Sequence, residues 1–168
     1  MKELSEKIDK LREKVPGIAI RTTVIVGFPG EDTDNFRRLA SFVKNTEFER
    51  LGIFPYSCEE GTPAAVMPKP VKERTKMKRM GLVAEIQRKI HFRKQDALVG
   101  NTVEVMVDSQ AETGEYIGRT AHDAYEVDAV VLFTSPGGKN YECGDLCQVT
   151  ITASELYDLR GCAYEPTE

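Results

Sequence analysis

The sequence predicts an α/β segment with parallel strands, followed by a small five-stranded antiparallel β-barrel. Three observations carry this. Ile18 to Val26 is apolar or β-branched apart from Arg21 and stops at Gly27, as a strand buried on both faces of a parallel sheet does. From Thr102 onward, short runs alternate apolar and polar residues between turn signals. The charge also changes sign along the chain. Residues 1–97 carry 20 lysines and arginines against 14 aspartates and glutamates, a net of +6, whereas residues 98–168 carry 3 against 13, a net of −10. A boundary near Ala97 follows, with domains 1–97 and 98–168 facing different partners.

Taken in order, Leu4, Ile8, Leu11 and Val15 recur at helical spacing, so residues 2–14 form an amphipathic helix that Pro16 and Gly17 end. The strand Ile18 to Val26 runs into Gly27-Phe28-Pro29-Gly30, a tight turn in which a missing Cβ lets backbone approach a ligand. Glu31, Asp32, Thr33 and Asp34 then offer a cap and an acidic first turn for a helix from about Thr33 to Asn45. A second apolar run, Arg50 to Tyr56, completes a right-handed βαβ unit. Ligands of α/β folds sit at the carboxyl ends of such strands. Two parallel strands make too small a sheet to cover both faces, so residues 1 to about 97 are expected to be the last part of a larger α/β domain.

The proline-rich stretch from Ser57 to Pro70 is read as a loop across the sheet. Val71 to about Ala97 is helical, with Met77, Met80, Val83, Ile86 and Ile90 on one side and a dense lysine and arginine surface. That surface is either a solvated face or a phosphate-binding one. The five barrel strands are expected at Thr102–Asp108, Glu115–Thr120, Val127–Thr134, Gln148–Thr152 and Tyr157–Tyr164.

No run reaches the roughly 18 apolar residues that a membrane span needs, and the amphipathic start is unlike a signal peptide, so a cytoplasmic location without membrane contact is expected. The four cysteines, Cys58, Cys143, Cys147 and Cys162, have no disulfide-framework spacing. His91 and His122 have no suitably spaced partner for metal.

Several strings together carry a family resemblance. These are Arg21-Thr22-Thr23-Val24-Ile25-Val26-Gly27-Phe28-Pro29-Gly30-Glu31, then Leu51 to Ala64, then the basic helix leading to Ala97-Leu98-Val99-Gly100-Asn101. They resemble the C-terminal part of the radical-SAM methylthiotransferases, through essentially the whole chain. Tyr56-Ser57-Cys58-Glu59-Glu60-Gly61-Thr62 and Glu155 to Gly161 resemble the RimO branch, which methylthiolates an aspartate of a small-subunit ribosomal protein. The resemblance implies the C-terminal fragment of a partial β/α barrel followed by a TRAM domain, an OB-like five-stranded barrel that recognises the macromolecular substrate.

It also implies S-adenosylmethionine and two 4Fe-4S clusters as cofactors of the complete enzyme. One of these sits on a Cys-x3-Cys-x2-Cys loop. Cys143 and Cys147 have the first spacing, but Thr150 stands where the third cysteine would be, and clusters need three or four thiolates. The chain alone is therefore expected to be inactive, with no catalytic or metal residue of its own and a need for the N-terminal part of its enzyme. By the same resemblance, Val26, Gly27 and Phe28 would pack against the adenine, Phe54 and Tyr56 would close the pocket, and Arg21 would be a polar group inside the barrel. Glu59 and Glu60 lie on a loop that could reach substrate. The acidity of residues 98–168 favours a basic ribosomal protein as partner and makes nucleic acid an unfavourable one. The alternatives are the tRNA-directed sister branch and a freestanding OB-like RNA-binding module.

Overall fold

A computed structural model describes residues 2–164. The chain divides into two compact units, residues 1–90 and 91–168. In the first unit, α1 (Lys2–Lys14) precedes β1 (Arg21–Val26), α2 (Thr33–Thr46) and β2 (Arg50–Pro55). Asp32 caps α2 by accepting a hydrogen bond from the Asn35 amide at 2.7 Å, and Glu47 ends it in the left-handed region. β1 and β2 pair in parallel, with Val24 opposite Ile53 and Ile25 opposite Phe54. A one-turn 3-10 helix, Pro63–Val66, interrupts the loop that leads to α3 (Glu73–Asp96).

The two faces of this sheet differ. Val24, Val26, Leu51 and Ile53 point to the helices and pack with Val43 and Val83, which with Val26 are fully buried. The other face holds Ile25, 52% exposed, and Phe54, 58% exposed. The expectation of a strand covered on both sides is therefore met on the helix side only. β1 begins at Arg21 rather than Ile18, and its opposite face is an open apolar surface. Large apolar side chains on an exposed sheet face mark a contact surface rather than a finished one.

The second unit is a closed barrel of five strands in the order β3 (Thr102–Gln110), β4 (Tyr116–Thr120), β5 (Val131–Thr134), β7 (Asp158–Ala163) and β6 (Leu146–Glu155). Alternate residues point inward, so Val105, Val107, Tyr116, Val131, Phe133, Val149, Ile151 and Leu159 fill one core. β5 and β7 run parallel while the other four pairings are antiparallel. The barrel is thus mixed rather than purely antiparallel. Strand directions cannot alternate all the way round a closed ring of five, so at least one neighbouring pair must be parallel. Gly118 shows how tightly the strands close, since a Cβ there would lie 2.5 Å from the Met106 carbonyl oxygen. β5 starts at Val131, because Ala124 to Asp128 form a turn with Val127 exposed.

Candidate ligand-binding wall at the strand ends

The carboxyl ends of β1 and β2 meet at one place. The Tyr56 amide donates to the Val26 carbonyl at 2.9 Å, and the rings of Phe28 and Tyr56 pack edge to face with centroids 5.2 Å apart. Phe28 is 40% exposed, and Phe54 lies on the open face one residue before the end of β2. Four of the expected residues, Gly27, Phe28, Phe54 and Tyr56, therefore cluster at this rim. Val26 adds only backbone, since its side chain is sealed in the helix-side core. Arg21 stands at the opposite end of β1, beside Arg50, about 16 Å away at strand rise.

Two cations of α3, one turn apart, lock this rim. Lys76 Nζ donates to the Tyr56 carbonyl at 2.7 Å and lies 5.4 Å from that residue's ring centroid. Its stem runs under Gly27, where a Cβ would sit 2.4 Å from Lys76 Cγ, and Gly27 has φ of 75°. The glycine is thus required by the fold of the turn itself, through both its backbone conformation and its packing. Arg79 Nη1 donates to the Glu31 carboxylate at 2.6 Å and to the Glu31 carbonyl at 3.0 Å. That carboxylate also accepts from the Gly27 amide at 2.9 Å. Both side chains are 11% exposed, and the guanidinium lies over the Phe36 ring.

Glu31, Lys76 and Arg79 hold the rim in place, and composition alone conceals them. The basic run on α3 gives no sign of which two cations turn inward. Their spacing of three puts both on one helix side, but three acids, Glu31, Asp32 and Asp34, follow Gly30, and the sequence does not say which of them is met.

A small cavity of about 100 Å³ lies beside Tyr56, lined by Pro29, Cys58, Ala65, Met67 and Pro70 among others. Partial burial raises the Tyr56 phenol above its ordinary range, and Cys58 and Glu59 act in the same direction. Glu59 and Glu60 are exposed on the loop.

The cysteines do not assemble. Cys143 and Cys58 are exposed, Cys147 is buried with its thiol 3.6 Å from the Val105 carbonyl, and among the described residues no group of three or more His, Cys, Asp or Glu could hold a metal ion. A cluster therefore does not fit the residues described here. Burial raises the Cys147 thiol, with Lys139 opposing and Asp145 reinforcing. Maleimide labelling of the folded chain should modify Cys58 and Cys143 first and Cys147 last; equal rates would contradict the barrel's closure around it. His91 packs on the Tyr157 ring at a centroid distance of 5.5 Å, and the His122 amide donates to the Thr120 hydroxyl at 3.2 Å.

Among the described residues no helix is long and apolar enough to cross a membrane. The barrel's cations are engaged: Arg119 pairs with Asp108, Arg160 reaches Glu155 at 2.7 Å and Glu115 at 2.9 Å, and Lys139 lies 5.0 Å from the Tyr141 ring centroid.

Residues 99–163, the closed five-stranded barrel, match the TRAM domain family. Over nearly its whole length the chain is homologous to proteins named ribosomal protein uS12 methylthiotransferase RimO. It is 44% identical over 161 residues to that of Citrifermentans bemidjiense, covering 95% of this chain and 35% of the relative. It is 45% identical over 154 residues to that of Trichlorobacter lovleyi (90% and 34%), and 41% identical over 159 residues to that of Clostridioides difficile (95% and 35%). The chain spans about a third of the length of these relatives.

Proposed function

We propose that this chain is the portion of a ribosomal-protein methylthiotransferase that supplies one wall of the S-adenosylmethionine pocket and the substrate-recognition barrel. The observation that carries the reading is identity above 40% to RimO proteins over 95% of the chain, joined to an open apolar face where a pocket wall is needed.

The residues at the rim suit an adenine. Exposed rings of Phe28 and Phe54 offer apolar contact at the strand ends, while Gly27 is buried against the Lys76 stem and shapes the turn that presents Phe28. When bound, S-adenosylmethionine supplies the radical and methyl chemistry of the family, at clusters held outside these residues. What this chain's own residues do is bind and orient. Lys76 fixes the end of β2, Arg79 and Glu31 fix the turn after β1, and the Phe28–Tyr56 edge-to-face contact joins the two strand ends. By itself the chain performs no catalysis, because the cluster ligands are supplied elsewhere in the enzyme.

The partner is a basic small-subunit ribosomal protein in the cytoplasm. A barrel whose arginines are each paired with carboxylates repels phosphate and attracts lysine-rich protein. Isothermal titration of the chain with the small-subunit protein uS12, against a tRNA gel shift, tests this. The reading expects salt-sensitive binding of the protein and none of the tRNA; a tRNA shift with no protein binding would overturn it in favour of the tRNA-directed branch.

A further inference from the structure

The outer face of the barrel carries a groove of about 310 Å³ formed across β6, β3 and β4. Its floor is a single row in register, with Leu146 opposite Met106 and Met106 opposite Arg119. Leu146 is 57% exposed and Met106 half-buried, so the floor is apolar where a barrel wall in contact with water is ordinarily polar. Glu104, exposed on β3, and Asp123, from the loop after β4, also line it, and the Asp123 carboxylate accepts from the Thr120 hydroxyl at 2.5 Å. The one cation of the groove is already met: Arg119 is paired with Asp108, donates to the Met106 sulfur at 3.2 Å and lies over the Tyr125 ring. With Arg119 and Asp123 both engaged, the exposed Glu104 carboxylate borders an apolar floor. The same combination suits the side chain of a lysine or arginine, whose methylene stem lies on apolar surface while its head reaches a carboxylate.

We propose that this groove is the docking site for a lysine- or arginine-bearing segment of a basic protein partner. The inference rests on the reading of the barrel as the substrate-recognition domain and adds where on its surface the partner sits. RNA is disfavoured here, because the Glu104 carboxylate would face phosphates and Arg119 is not available to meet them.

The test measures binding of a fluorescently labelled lysine- and arginine-rich peptide to the full chain by anisotropy at about 0.15 M salt, where charges more than about 8 Å apart are largely screened. Glu104→Lys should weaken binding at least about fivefold, and Leu146→Ser should weaken it by a smaller factor. Glu112→Lys lies in the turn beyond the end of β3, away from the groove. The same charge change at Glu112→Lys should leave affinity within about twofold. Equal losses in the groove and control variants would show general attraction to an acidic domain and overturn the groove. If the unaltered chain ignores the peptide and shifts tRNA instead, the recognition reading itself fails, and the groove with it. All these positions are exposed or half-buried on the barrel surface, and circular dichroism of each variant confirms that the fold is kept.

Discussion

Replacing Phe133 by alanine should melt the barrel or leave it barely stable. Phe133 is fully buried, stacks on Tyr116 at a centroid distance of 5.4 Å and meets the edge of Tyr141 at 6.1 Å. Removing a buried phenylalanine costs about 3 to 5 kcal/mol through lost transfer energy and the cavity left behind. A unit of this size has on the order of 4 to 11 kcal/mol in total. Nothing nearby relaxes easily into the space, because β5 pairs with β4 on one side and β7 on the other. Urea titration followed through amide signals of β3 and β5 should show a midpoint displaced by that amount. A loss below about 1 kcal/mol would mean that the aromatic cluster is not the centre of this core.

Arg79→Met should be the most damaging single change in the first unit. It leaves the Glu31 carboxylate, 11% exposed, with the Gly27 amide as its remaining partner, and breaking a buried pair from one side costs about 3 to 5 kcal/mol. Because the pair is desolvated, removing both charges should cost less than removing one, so Arg79→Met with Glu31→Gln should recover part of the loss. Hydrogen exchange at the Gly27 amide reads the same event locally: protection should fall in the single variant and return in part in the double one. A single variant as stable as the parent would show that the turn after β1 is held by something other than this ion pair.

The barrel was legible because alternation reports directly which side of each strand is covered. Val105 and Val107, or Val149 and Ile151, state their face without any knowledge of partners. Alternation says nothing about neighbours, however, so the parallel pairing of β5 with β7 is visible only in the closed ring. The apolar run ending in Val26 was legible as a parallel strand, but its composition describes the environment it is suited to, and only one face is covered among the described residues. The aromatic rim was legible from its place after the strands. The clamp was not. Lys76 and Arg79 look like six other cations of the same helix, and what selects them is their contact with Tyr56 and Glu31, residues 20 and 48 positions away.

The most direct measurement grafts this chain into the Citrifermentans bemidjiense relative in place of the segment it matches, and assays reductive cleavage of S-adenosylmethionine together with methylthiolation of the ribosomal protein. The proposed function predicts both activities in the graft, with cleavage impaired when Phe54 is changed to aspartate on the open face of β2. A folded graft that cleaves equally well with Phe54 or aspartate at that position would contradict the assignment of this face to the pocket.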